Sequence, residues 1–389
     1  MIHRFSISNY LSIKEALEID LRVTPGQGDD NTSFIAPSGQ RLSKAQLLVG
    51  ANASGKTNIL HALNALSYFT LMSFSLAPDA PTGFEPHMFS QSDISEFRIT
   101  FESDGEIYEY QLAVTPEQVV LESLKKKTSR LFSRIFSRDW DETTASYFIQ
   151  GINAKSARLV RKNCSLLAWL RQHNEGGMEV LHTQLELGAW SGNMYPAGEK
   201  AKLPGDFLIE RSAEILAGDP ELVPAVLSVL KRFDICIDDI QLLETGTSGI
   251  WIPYFVHKQG NKVKNLSVYA ESSGTKRLFG LLGVLLNAIK DSSLILLDEI
   301  EDDLHPVMLE ALFKLFLSKE FNPHNAQLII ATHAIELMNR LHKGQITLVE
   351  KHDHATETYA LSQVEGVHSR DNFMGKYIAG AYGAIPEIF

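Results

Sequence analysis

Cysteine is almost missing from this chain. Cys164 and Cys236 are the only two in 389 residues, far apart and outside any Cys-x-x-Cys or Cys/His cluster. That argues against a disulfide scaffold and a structural zinc site, and it fits a reducing cytoplasm. Long apolar runs are missing as well: Leu278–Ile289 and Leu294–Leu297 are too short to span a bilayer, so no membrane association is expected. The opening MIHRFSISNY alternates like a strand and has no apolar stretch of a secretory leader. Nor is there an excess of basic charge. The formal net charge of −11 argues against a protein that coats nucleic acid with its whole surface. What remains is a globular composition, 44% apolar and 21% charged, long enough for two or three compact units.

The charge is uneven. Lys125 to Arg171 holds 11 Lys/Arg against Asp139, Asp141 and Glu142, a local net of +8. Arg130, Arg134 and Arg138 recur every fourth residue, interleaved with Phe132 and Phe136. On a helix they make one basic stripe, and on a strand the even spacing keeps them on one face. Such a stripe suits a nucleic-acid backbone, an acidic partner, the chain's own acidic remainder, or plain solvent.

Patterning divides the chain into three. Residues 1–120 read as strands around one helix. Phe5–Ile7 and Leu17–Leu21 alternate, Ala45–Val49 is a buried-type run, and a helix follows from Lys56 to about Tyr68. Phe97–Phe101 and Ile107–Val114 form a hairpin about Ser103-Asp104-Gly105. Residues 121–245 start strand-like and become a partly basic, mostly helical insertion, punctuated by Pro204-Gly205 and Gly218-Asp219-Pro220. Residues 246–389 return to alternating strands and helices.

Gly50-Ala51-Asn52-Ala53-Ser54-Gly55-Lys56-Thr57 matches G-x-x-x-x-G-K-[ST] in full, between a buried strand and a helix start. In such a loop backbone N–H groups curl round phosphates and the helix N-terminus adds positive dipole. Lys56 is expected to reach the β- and γ-phosphates of ATP and to face solvent without them. The Thr57 hydroxyl is expected on Mg²⁺. Asn52, Ala53, Ser54 and the following Asn58 complete the expected nucleotide contacts.

Leu294-Ile295-Leu296-Leu297 is a second buried run, ending in Asp298-Glu299. Carboxyl ends of parallel strands are where open α/β sheets bind ligands. Asp298 is the candidate Mg²⁺ ligand, and Glu299 the candidate base that polarises the attacking water. A third run, Gln327–Ala331, ends in Thr332-His333, which makes His333 a candidate γ-phosphate contact. Lys56 and Asp298 lie 242 residues apart, so a large insertion must separate two strands that a compact ATPase core keeps close. His352-Asp353-His354 reads as a solvated turn rather than a metal site. No Gly-x-Ser-x-Gly elbow occurs. Gln91 and Gln111 both remain open as a further γ-phosphate glutamine.

Ala270-Glu271-Ser272-Ser273-Gly274-Thr275-Lys276 resembles the signature motif of ABC-type ATPases, with Ser273 in place of a glycine. Phe5 to Ile13, with Asn9-Tyr10-Leu11-Ser12, resembles the opening strand of SMC, RecF and OLD-type heads. Asp298-Glu299-Ile300 leading to Leu304-His305-Pro306, and the ending Tyr377-Ile378-Ala379-Gly380-Ala381-Tyr382-Gly383-Ala384-Ile385-Pro386, are similar to abortive-infection AAA ATPases. The resemblance spans most of the chain. It implies an α/β, ABC/SMC-like P-loop ATPase head with a mixed β N-lobe and a mainly helical insertion. It implies hydrolysis of ATP with Mg²⁺. It also implies a homodimer or higher even-numbered oligomer in which Ser272 and Gly274 of one copy cover the nucleotide of another. Its further implication is a cytoplasmic sensor in anti-phage defence. Because the head runs to Phe389, the effector, a TOPRIM-type nuclease for example, is expected on a separate chain. The alternatives are a RecF/SMC-type DNA-repair ATPase, which the ending disfavours, and a nucleotide-clamped scaffold, which Glu299 disfavours.

Overall fold

The computed structural model describes residues 1–24, 29–152, 159–173, 187–190, 207–233, 235–246 and 249–385. The first half runs β1 (Ile2–Ser8), β2 (Leu17–Asp20), β3 (Ser33–Ile35), β4 (Arg41–Ser43), β5 (Ala45–Val49) and helix α1 (Lys56–Met72). Next come β6 (Ser95–Ser103), β7 (Glu106–Val114), β8 (Val119–Lys127), β9 (Phe132–Asp141), β10 (Ser146–Gln150) and α2 (Leu166–Gln172). The second half runs β11 (Leu187–Trp190), α3 (Phe207–Gly218), α4 (Val223–Arg232), β12 (Asp239–Glu244), β13 (Trp251–Gln259), β14 (Lys262–Ser267) and α5 (Ser273–Lys290). It closes with β15 (Leu294–Asp298), α6 (Pro306–Leu317), β16 (Gln327–Ala331), β17 (Ile346–His352), β18 (Ala355–Ala360) and α7 (Phe373–Ile378).

Two large sheets carry the fold. One is antiparallel, in the order β10-β9-β8-β7-β6-β1-β2. The other has the order β11-β15-β16-β5-β17-β18, parallel except for the final hairpin strand. The runs in β5, β15 and β16 bury both faces, as strands covered on two sides must. Leu294, Leu296, Ile329 and Leu48 point into a core shared with α1 and the antiparallel sheet. Ile295, Leu297, Leu328, Ile330 and Leu47 point the other way, into a core with helices α3 to α6. Helix α1 is apolar on nearly every side because it lies between the sheets, with Ile59, Leu63, Leu66 and Phe69 in the same cluster as Phe5, Phe97 and Leu112.

The boundary expected at residue 120 is not there. It cuts β8, and residues 119–150 add three strands to the antiparallel sheet instead of opening a helical insertion. Aromatic and β-branched residues such as Phe132, Ile135, Phe136, Tyr147 and Ile149 outweigh the i, i+4 arginine spacing that suggests a helix. Among the described residues the helices of that span are α2, α3 and α4; α3 and α4 pack on α5, with Ser212 Oγ donating to the Phe279 carbonyl at 3.1 Å.

The arginine stripe is broken as well. Leu124 pairs with Phe136 but Lys125 pairs with Arg134, so Ile135 is an extra residue in β9. A bulge of one residue reverses which face the following side chains take. Arg134 stays exposed, whereas Arg138 turns inward opposite Glu122 and is fully buried. Its Nη2 lies 3.3 Å from Glu122 Oε2 and donates to the Cys164 carbonyl at 2.7 Å, and the guanidinium sits over Tyr147 at 4.6 Å. Glu122 also accepts from Tyr110 Oη at 2.9 Å, from Ser165 Oγ at 2.8 Å and from the Leu166 amide at 2.8 Å, at the start of α2. Other basic groups of the segment meet the sheet's own acids: Lys125 with Glu109 at 3.5 Å and Lys126 with Glu106 at 3.4 Å. Lys125, Lys126 and Arg138 of the +8 segment therefore answer the protein's own charge.

Removing one partner of a buried pair strands the other charge in a low dielectric. Arg138→Ala is expected to lower unfolding free energy by about 3–5 kcal/mol, against about 0.5 kcal/mol or less for Arg134→Ala, read from urea denaturation.

Candidate functional site

The phosphate loop leaves β5 and enters α1 through backbone that only some residues allow. Gly55 has φ 107°, and Ala53 has φ 60°. A Cβ on Gly55 would overlap the Thr356 side chain, and one on Gly50 would overlap the Val349 carbonyl. The two glycines are thus required by close approach to β18 and β17, besides the curl itself. The Asn58 side chain does not face the cleft alone: its Nδ2 donates to Ser12 Oγ at 2.6 Å.

A cleft of about 470 Å³ opens over the loop, lined by residues 52–58 with Glu299, His333 and Lys351. Glu299 and His333 reach it, with Asp298 buried behind Thr57, because their strands are aligned. Asp298 is level with Ala331, and Ala331 with Leu48, so the three chain segments leave the sheet together. The acidic strand and the loop strand are not adjacent. β16 lies between them, which brings His333 to the middle of the site.

Lys56 does not face solvent. It is 5% exposed, and its Nζ donates to the Gly50 carbonyl at 2.9 Å and the Ala51 carbonyl at 3.0 Å. The same Nζ is 3.3 Å from His333 Nε2. An ammonium has no lone pair, so that contact puts the His333 proton on Nδ1. Burial lowers the Lys56 pKa, and Glu299, Asp298 and Glu301 oppose the shift. Asp298 is fully buried, with Oδ1 accepting from Thr57 Oγ1 at 3.2 Å. Burial raises its pKa to about 6, with Thr57 pulling down and Glu299 pushing up. Glu299 takes a left-handed conformation, φ 48° and ψ 45°, while its amide still donates to the Ala331 carbonyl at 2.9 Å. A non-glycine residue held there costs roughly 1–2 kcal/mol. The turn swings its side chain out of the strand line toward the cleft. The His333 amide donates to Glu301 Oε1.

Ser272 and Gly274 are not part of this cleft. Ser272 is the exposed cap of α5, its Oγ accepting from the Thr275 amide at 3.2 Å. Gln91 is exposed and Gln111 sits in β7, and neither lines the cleft. His352 ends β17 and His354 lies in the two-residue hairpin turn after it, with His352 Nε2 3.0 Å from Glu350. Among the described residues no group of three His, Cys, Asp or Glu is placed to hold a metal. No helix among them is long and apolar enough to cross a membrane.

Sequence reasoning missed Lys351 and Thr356, whose side chains come to the loop from the hairpin of β17 and β18 without any motif. Two motifs gain a physical account. In the opening stretch Asn9 holds the 87–95 loop, donating to the Ser92 and Ile94 carbonyls at 2.6 and 2.9 Å and accepting from the His87 amide at 3.0 Å. The ending is clamped by Glu350, which accepts from the Ala384 amide and lies 2.8 Å from Tyr359 Oη. Tyr377 Oη donates to the Ala384 carbonyl at 2.6 Å. Ala384 and Ile385 thereby line a second cavity, about 590 Å³, against the outer wall of loop residues 51–54.

The fold is that of the α/β P-loop ATPases. More narrowly, the chain belongs to the family described as "AAA domain, putative AbiEii toxin, Type IV TA system", whose profile matches residues 47–339. Among solved structures it is similar to an SMC head domain from Thermotoga maritima, at 15% identity and TM-score 0.44 over 92% of this chain and 98% of that one. It is also similar to an Smc head domain with an extended coiled coil bound to the C-terminal domain of ScpA, derived from Pyrococcus furiosus. There the identity is 15% and the TM-score 0.45, over 93% of this chain and 97% of that one. No curated protein matches the chain.

A carboxyl whose folded pKa lies above its unfolded value binds more protons when folded. Its burial therefore costs nothing below pH 4 and costs progressively more as pH rises through about 6. Asp298→Asn keeps an acceptor for Thr57 and removes that penalty. Without nucleotide and divalent cation it is expected to raise the unfolding midpoint at pH 7.5, by an amount corresponding to about 1–3 kcal/mol, and to leave it unchanged at pH 4. Thermal scans at the two pH values measure this.

Proposed function

We propose that the chain is a Mg²⁺-dependent ATPase that acts as the sensor and switch subunit of a bacterial anti-phage system, working with a separate effector. The observation that carries the ATPase reading is the gathering of Lys56, the Thr57–Asp298 pair, Glu299 and His333 around one cleft. Two hard oxygen donors 3.2 Å apart suit a small divalent cation. Bound there, Mg²⁺ would supply charge neutralisation at the β- and γ-phosphates. Lys56, released from its loop carbonyls, would take the phosphate charge. Glu299 would accept the proton of the attacking water, and His333 would hold the γ-phosphate edge. The buried charges of opposite sign already in the cleft prepare this exchange of partners.

The defence role rests on the family's description, which names a toxin of a toxin–antitoxin system, and on the Tyr377–Ile385 ending. Expression with its neighbouring gene should reduce phage plating, and Lys56→Ala should restore it. The position of exposed Ser272 and half-buried Gly274, outside their own chain's cleft, supports a composite site made by two copies.

Lys56→Ala is expected to abolish binding of a fluorescent ATP analogue. Glu299→Gln is expected to bind ATP normally and to turn it over about 10²–10⁴ times more slowly, read by phosphate release. Assembly is read separately by light scattering. Glu299→Gln with Mg-ATP should form dimers or higher even-numbered species. Adding Ser272→Arg should return it to monomers without altering ATP affinity per chain.

A further inference from the structure

Thr356 is 2% exposed on the first turn of β18, and its hydroxyl touches two other parts of the chain. Its Oγ1 lies 2.9 Å from the Ser54 carbonyl oxygen and 2.7 Å from Ser12 Oγ. A carbonyl has no proton, so Thr356 is the donor to Ser54. A hydroxyl has a single proton, so in the contact with Ser12 the donor is Ser12. With its own proton committed, Ser12 Oγ accepts, and Asn58 Nδ2 donates to it at 2.6 Å. The direction of the whole chain is thereby fixed: Asn58 to Ser12 to Thr356 to the Ser54 carbonyl. The Thr356 amide donates to the Ser12 carbonyl at 2.7 Å and doubles the join between β18 and the turn after β1. Both ends of this chain lie on residues 54 and 58, either side of Gly55, Lys56 and Thr57. Gly55 packs directly on the Thr356 side chain, with no space for a Cβ.

We propose that Thr356 is a positioning residue for the phosphate loop, closing a one-way hydrogen-bond clasp that runs from Asn58 through Ser12 to the Ser54 carbonyl. The inference rests on the nucleotide-binding reading above and assigns a role within it. Thr356 does not touch the phosphates; it acts through Ser54. The clasp sits on the side of the loop away from Glu299, so it governs capture of the nucleotide rather than the attack of water. β-Branching limits the rotamers of Thr356, which suits a fixed donor. Every group in the clasp is neutral, so its action does not vary between about pH 5 and 9.

The test uses the full chain and Thr356→Val, which keeps shape and loses the hydroxyl, with Thr356→Ser, which keeps the hydroxyl. Thr356→Val is expected to weaken Mg-ATP binding about five- to tenfold, leave kcat at saturating ATP within about twofold, and speed amide hydrogen exchange in residues 50–58 without nucleotide. Thr356→Ser should restore all three. Ser12→Ala combined with Thr356→Val should weaken binding by less than the product of the two single effects, because both break one chain. Unchanged affinity in Thr356→Val, failure of the serine variant to restore it, or multiplicative losses overturn the proposal. If the wild-type chain binds no ATP, the nucleotide reading fails by itself. Exchange rates then decide the clasp: faster exchange in Thr356→Val upholds it, and equal rates overturn it.

Discussion

The site depends on one alignment. Leu48, Ala331 and Asp298 lie side by side in three parallel strands that are buried on both faces. Parallel strands with both faces covered cannot slip, since a shift of one residue would exchange the side chains committed to two different cores. Because the register is fixed, the phosphate loop, Glu299 and His333 leave the sheet within a residue or two of the same level. Residues separated by more than two hundred positions in sequence thus come within one cleft, without any direct bond between them being needed to set the distance.

Burial then sets the chemistry. Lys56 and Asp298 are of opposite sign and both are pushed toward their neutral forms. Lys56 is bonded to two loop carbonyls and touches His333, and Asp298 accepts from the Thr57 hydroxyl. Such partners satisfy hydrogen bonds but not charge. A polyanion with a divalent cation would bring each residue a charge of the opposite sign. That is the physical reason for a site of this kind to bind the two together more strongly than either alone.

The parallel core could be read from the sequence because its signals are local. A four- or five-residue apolar run bounded by polar residues fits a buried strand end, and Gly55-Lys56-Thr57 needs no tertiary knowledge. The turn at Asp104-Gly105 is equally local. The failures are non-local. Nothing in the spacing of Arg130, Arg134 and Arg138 reveals that Ile135 is an extra residue, because a bulge is defined by the partner strand. Lys56 looked solvent-facing because a sequence does not show carbonyls folding back over their own side chain. Thr356 and Lys351 carry no motif, and their importance arises only when a hairpin formed three hundred residues later lies against the loop.

That hairpin also joins the lobes. The antiparallel sheet meets the parallel one at the Gln327 side chain, whose amide accepts from the Ile2 N–H at 2.6 Å and donates to the Ile2 carbonyl at 2.9 Å. It meets it again where Ser12 reaches Thr356 and Asn58. The first contact lies at the start of β16 and the second at the phosphate loop, so they grip the parallel sheet at its two ends. A sheet held at two ends against a rigid helix transmits displacement instead of absorbing it, since packed cores resist compression. Ser12 ties the loop to the turn after β1, and β1 continues through β6 and β7 to β8 and β9, where Glu122 and Arg138 form a buried pair. The antiparallel sheet is thus fastened by buried polar contacts both where it meets the phosphate loop and near its far edge.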